Sequence, residues 1–276
     1  MFRFGRLWLF LCTFLVSGLT RIFADLPAVL PEVGDLQHWS VFTLGSATTA
    51  DELSGSAVIN GDVGVAGIGD INLKDSATIN GNLYYRSNGT LDRSSNSMIK
   101  GATFHDQDTL LDNDAAAAIA ASRHATSLKQ HYFAPNDLEL SGNRNFTVTA
   151  APGGNVVLKL GNFRLSGNSS LTLDGTATST FIINVSKQFA LSGNAKIVLS
   201  GDVQWSNVLF NVYAKDSAVW LSGNSSFAGM LMANRRTVQV SGHTSINGEV
   251  IANRVIFGKT GSKGSATVGH PPLVSP

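Results

Sequence analysis

Six histidines, at 38, 105, 124, 131, 243 and 270, are the residues best suited to metal binding or acid–base work. No two of them stand at the spacing of a zinc pair, and they scatter over lead, helix, corner and tail. Carbohydrate-cleaving enzymes need converging carboxylates. The acidic residues Asp62, Asp70, Asp75, Asp174, Asp202 and Asp216 stand singly, most of them beside turn glycines, which is turn chemistry. The close glycines of Gly64-Val65-Ala66-Gly67-Ile68-Gly69 lack the strand–turn–helix context of a dinucleotide site. There is no nucleophile elbow and no Walker phosphate loop. No catalytic residue, cofactor site or metal site is therefore assigned, and the chain is not expected to be an enzyme. Arg235, Arg236 and Arg254 form a candidate basic patch that reads as a solvated edge. With charged residues at 14% and a formal net charge of +1, the chain lacks the clustered Lys and Arg that nucleic-acid binding requires.

The elements that would carry a surface function are repetitive. Ser222-Gly223-Asn224-Ser225-Ser226-Phe227-Ala228-Gly229 is matched 19 residues later by Ser241-Gly242-His243-Thr244-Ser245-Ile246-Asn247-Gly248. Upstream, Ser-Gly-Asn recurs at Ser141, Ser166 and Ser192, and Gly61, Gly81 and Gly101 are spaced 20 apart. A period near 20 marks stacked coils, each burying its apolar side only against its neighbours. Asn60-Gly61 and Asn80-Gly81 supply corners at low steric cost; such pairs also make hairpins, but the fixed spacing favours coil corners. In that register Ile59, Ile79 and Ile99, and separately Phe227 and Ile246, should stack in the interior. From Asp137 onward apolar and polar residues alternate with period two, as in Phe146-Thr147-Val148 and Leu171-Thr172-Leu173. Between Asp106 and Gln130 the period lengthens: Leu110, Leu111, Ala115, Ala118, Ile119, Ser122, Ala125 and Leu128 recur at three- and four-residue steps, and Asp112, Asn113 and Asp114 suit a helix start. Roughly 200 residues in coils stacked at about 4.8 Å make on the order of eight to ten coils, a prism about 40 to 45 Å long.

Arg3 and Arg6 precede the apolar run from Leu7 to Val16, and Ile22-Phe23-Ala24 offers a cleavage site. That core is short for a membrane span, so residues 1–24 read as a secretory signal peptide. The expected organisation is signal 1–24, one solenoid domain at 25–258 with the helix at about 106–130 inserted, and a flexible tail at 259–276. The single cysteine, Cys12, falls inside the signal. The mature protein is thus expected to be extracellular, free of disulfides and of membrane spans, and monomeric.

The stretch Ser170-Leu171-Thr172-Leu173-Asp174-Gly175, Phe181-Ile182-Ile183-Asn184-Val185 and Asn207-Val208-Leu209-Phe210-Asn211-Val212 resembles the ice-binding-protein-like β-solenoid family of secreted microbial antifreeze proteins. The repeats after Ser226 and Ser245 continue the likeness, as does the order of N-terminal coils, Ala-rich helix and longer C-terminal coils. It covers roughly residues 41 to 258 and implies a mainly β fold: a discontinuous right-handed β-solenoid of triangular section, with one long α-helix packed alongside. In that family the ice-binding face is flat and rich in Thr, Ser and Ala. Here serine leads each corner motif in place of threonine, and Arg144 and Lys196 interrupt the row. Candidate surface-binding residues are Thr78, Thr172, Thr237 and Thr244, with Ser166, Ser222 and Ser241 on the corner row. The coil grammar also resembles bacterial anchor-type surface solenoids, whose role is attachment. Two partners follow: an ice surface, or an extracellular glycan or matrix component. A flat uncharged face would favour ice, and a face broken by arginines or aromatics would favour a macromolecule. Asn88, Asn145, Asn168, Asn184 and Asn224 are candidate N-glycosylation sites.

Overall fold

The structure is a computed structural model describing residues 30–45, 51–68, 70–130, 132, 134–215, 218–258 and 265–270. Residues 1–24, expected to be a signal peptide, with Cys12 among them, and His131 and Asp216 lie outside the described residues. Every strand pairing among the described residues is parallel. Hairpins are antiparallel, so the Asn-Gly pairs turn corners between coils, as the fixed spacing implied. The result is a β-solenoid of about 9 turns with, among the described residues, one α-helix, α1 (Asp108–Ser127).

Three ladders of strands make three faces. The helix-covered face stacks Leu158, Ile183, Phe210, Leu231, Val250, Val41, Val63, Leu83 and Thr103. Sequence order is broken in this ladder. The chain enters at Val41, two-thirds of the way along, and coils outward to Thr103 at one end. Helix α1 then carries it back, after which the coils from Leu138 to Phe257 fill the remaining rungs and dock Val250 onto Val41. At 1.5 Å per residue, the 20-residue helix spans about 30 Å, roughly six rungs.

The two interior ladders expected from the sequence are one. Phe227 pairs with Ile246, Ile246 with Val268, Val268 with Ile59, Ile59 with Ile79, and Ile79 with Ile99. All except Ile99, which is half-buried at the end of the row, are buried. The linking rung is Thr267–Gly269, inside the segment expected to be a flexible tail. Its Val268 fills the interior between two halves of the chain far apart in sequence, so the solenoid extends beyond 258.

At the corner before the polar face, Gly142, Gly167, Gly193, Gly223 and Gly242 all have φ between 68° and 76°. A Cβ on Gly223 would lie 2.6 Å from the Gly193 carbonyl oxygen, so both the backbone conformation and the close stacking require glycine. The asparagines beside them form a ladder: Asn168 Nδ2 donates to Asn143 Oδ1 at 2.9 Å, Asn194 to Asn168 at 2.8 Å and Asn224 to Asn194 at 3.2 Å.

Helix α1 begins at Asp108, inside the expected 106–130 segment and ahead of Asp112, Asn113 and Asp114, the residues that suit a helix start. The Ser87 amide donates to Asp108 at 3.1 Å and Arg86 pairs with Asp108 and Asp112, anchoring the first turn to a coil. Leu111, Ala118, Ala121 and Ala125 face the sheet and are buried, whereas Leu110 and Ile119, expected on the same stripe, are exposed because they point to the other side of the helix. Small residues let the helix approach closely, and asparagines from the sheet reach its backbone. Asn234 Nδ2 donates to the Ala118 carbonyl at 2.7 Å, Asn211 to Ser122 at 3.1 Å and Asn184 to Ala125 at 2.8 Å.

Candidate binding faces

With one face under the helix, two remain open to solvent. The first, here the polar face, carries an outward row of Asn145, Ser170, Lys196, Ser226, Ser245, Thr267, Val58, Thr78 and Met98. Beside it run Thr147, Thr172 and Val198, and further along Ala228, Asn247, Gly269 and Asn60. Strand alternation creates these rows: the residues between them, such as Leu171, Ile197 and Ile246, point into the core. Some polar side chains are tied from rung to rung. Ser170 Oγ donates to Asn145 Oδ1 at 2.9 Å, and Asn80 Nδ2 donates to Asn60 Oδ1. The face therefore presents short groups at rung spacing, some already held in place.

The second open face is mixed. Its outward row runs Glu139, Arg164, Ala190, Trp220, Gln239, Ile256, Glu52, Asn72 and Asp92. Two depressions lie on it. One of about 320 Å³ is lined by Glu139, Arg144, Arg164 and Ala190 with the corner serines. The other, of about 430 Å³, is lined by Trp220, Gln239, Ile256, Glu52 and Ser241.

The seven residues singled out from the sequence do not share a face. Thr78 and Thr172 lie on the polar face, in adjacent rows. Ser166, Ser222 and Ser241 stand half-buried on the corner between the open faces. Thr237 pairs in register with Arg254 at the far edge of the mixed face. Thr244 is 1% exposed, its hydroxyl donating to the Ser241 carbonyl at 2.8 Å and meeting Ser225 Oγ at 3.3 Å; it is interior and offers nothing to a surface. The polar-face residues passed over, Asn145, Ser170, Ser226 and Ser245, stand four positions after a corner serine. Counting from Ser141, Ser166, Ser222 and Ser241 would have found them.

Lys196 does interrupt the polar row, between Ser170 and Ser226. Arg144 does not: it donates to the Glu139 carbonyl at 3.0 Å and lines the depression on the other face. The three C-terminal arginines do not make a patch, because Arg236 is 3% exposed and donates to the Ala214 and Lys187 carbonyls. Among the candidate glycosylation sites Asn184 is buried against the helix, whereas Asn88, Asn145, Asn168 and Asn224 are exposed. Among the described residues no group of three His, Cys, Asp or Glu is placed to hold a metal ion.

A discontinuous β-solenoid with a helix sealing one face and two extended open faces defines a class of proteins built around surfaces. Residues 32–263 match the family described as "Putative Ice-binding-like adhesive domain", and the chain belongs to that family. None of the curated proteins matches it significantly. Similar solved structures include an ice-binding protein from the Antarctic ascomycete Antarctomyces psychrotrophicus, 18% identical with a TM-score of 0.55 over 87% of this chain and 97% of that one. A glycosylated ice-binding protein from an Arctic yeast is 18% identical with a TM-score of 0.57, covering 91% and 97%. An ice-binding protein domain of Shewanella frigidimarina is 16% identical with a TM-score of 0.54, covering 89% and 99%. At these identities the likeness establishes the fold.

Proposed function

We propose that the protein is a secreted, non-catalytic, surface-adsorbing protein whose polar face binds ice. The observation that carries this reading is the row of Asn145, Ser170, Ser226, Ser245, Thr267 and Thr78 at rung spacing, flanked by Thr147 and Thr172. A water lattice offers no pocket-filling group, so recognition must come from many weak contacts on a rigid, nearly flat array. The stacked backbone supplies that rigidity before binding, which lowers the entropic cost of adsorption. Alternating hydroxyl or amide groups with methyls of Thr, Ala228 and Val58 lets the face both hydrogen-bond to water and order it against apolar carbon. The polar face lacks aromatics among its described residues, and Lys196 is the one charge inside its first row, with Asp174 at its edge.

The names of the similar structures agree with this reading. Thr78 and Thr172 remain as candidate contacts from the sequence; Ser166, Ser222 and Ser241 border the face. The direct test is to freeze a single-crystal ice hemisphere in a dilute solution of fluorescently labelled mature protein. Incorporation of label on defined planes is the expected outcome, and exclusion of label from the ice would overturn the reading.

A further inference from the structure

The mixed face differs from the polar face in chemistry and relief. Trp220 is its prominent feature. It is 46% exposed, whereas Trp39 is 0% and Trp205 6% exposed, so it is the one described tryptophan the core does not account for. A large aromatic left half in water costs hydrophobic free energy unless something covers it. Its ladder neighbour on one side is Ala190, whose methyl is too short to stand against the indole; on the other is Gln239. The two depressions share no lining residue but lie on adjacent rungs here, one reaching Ala190 and the other starting at Trp220. In line they make an interrupted trough over seven successive rungs, from Glu139 to Glu52.

One wall of the trough carries corner hydroxyls, Ser141, Ser166 and Ser192 in the first depression and Ser241 in the second. Its floor carries the Arg164–Glu139 pair at 4.0 Å, the amide of Gln239 and the carboxylate of Glu52. An exposed indole between hydrogen-bonding groups suits a pyranose ring, whose C–H face stacks on the aromatic while its equatorial hydroxyls meet donors and acceptors at the edge. Both charge signs are present, Arg164 stands 4.0 Å from Glu139 and Arg144 donates to the Glu139 carbonyl, so the trough does not select a charged ligand. Its open-ended, rung-by-rung form suits an extended polymer better than a compact molecule.

We propose that this trough binds one strand of a linear, uncharged, β-linked polysaccharide, with Trp220 as the stacking platform. This site is separate from the polar face and does not depend on the ice reading. The test is retention in native affinity gels containing hydroxyethylcellulose or laminarin, and co-sedimentation with cellulose and with chitin, which together distinguish the glycan. Wild-type mature protein should be retained by at least one of the four. Trp220→Ala should weaken that retention by about tenfold or more, Trp220→Phe should keep part of it, and Thr172→Tyr on the polar face should leave it unchanged. Acrylamide quenching of the wild-type protein gives a readout free of any folding defect, because Trp220 is the exposed fluorophore and the retained glycan should shield it. Absence of retention on all four glycans, retention indifferent to Trp220→Ala, or quenching unrelieved by a retained glycan would each overturn the proposal.

Discussion

Asp51 sits inside the solenoid, where its carboxyl accepts hydrogen bonds from Thr43 Oγ1 at 2.6 Å and from the Val255 amide at 2.8 Å. Burial raises its pKa from the usual 3.8 to about 6, outweighing those hydrogen bonds and nearby Arg254. The folded state thus holds the proton more tightly than the unfolded state. The stability this lends is fully present below pH 3.8 and is lost as the pH rises through 6. Asp51→Asn keeps the shape and an acceptor for Val255 but removes the charge. Its stability relative to wild type should rise by about 2–3 kcal/mol between pH 4 and pH 8 in urea titrations. A pH-independent difference would contradict this. Glu249, fully buried with neither oxygen hydrogen-bonded, is likewise pushed well above the carboxylate range by burial and acts in the same direction. Neither acid was visible as buried in the sequence, because each stands where strand alternation bends around a corner. The interior isoleucines were legible, since a 20-residue period leaves only one register that stacks them. Ile79→Ala should cost about 2–5 kcal/mol in the same titrations.

Helix α1 was legible as an element because its small-residue stripe has a helical period unlike the coils around it. It starts ahead of Asp112, Asn113 and Asp114, within the expected segment, because Asp108 is held from outside, by the Ser87 amide and Arg86, rather than by a local cap. What holds the helix to the sheet could not be read either, since Asn184, Asn211 and Asn234 look like ordinary polar residues in their strands. Asn211 is the centre of that contact: it donates to the Ser122 carbonyl and Thr126 Oγ1, each at 3.1 Å, and accepts from Ser122 Oγ at 2.7 Å. Asn211→Ala leaves these part-buried groups without their partner and should destabilise the fold by about 1–3 kcal/mol. Hydrogen exchange of the α1 amides should accelerate in the variant more than exchange of the Phe227–Ile246 rungs. Equal acceleration in both would show that helix and sheet open as a single unit.

At the scale of the molecule, the break in sequence order has a consequence for both open faces. Coils from the two halves of the chain share one continuous ladder, so rungs as distant in sequence as Ser245, Thr267 and Val58 lie side by side on the polar face. No sequence period could reveal that juxtaposition, because the linking rung at Thr267–Gly269 lies in a Gly/Ser-rich segment without a repeat. The fold class was legible from the repeats and the family likeness. The division of labour between faces was not, because corner position and outward position differ by only a few residues within each coil. The central claim is that the polar face, and not the mixed face, adsorbs to ice. Thermal hysteresis tests it most directly, measured on wild type, Thr172→Tyr and Trp220→Ala at matched concentration. Hysteresis in the wild type, abolished or sharply reduced by the bulky tyrosine on the polar face and unchanged by Trp220→Ala, is the expected result. Hysteresis absent from the wild type, or lost on Trp220→Ala while surviving Thr172→Tyr, would contradict it.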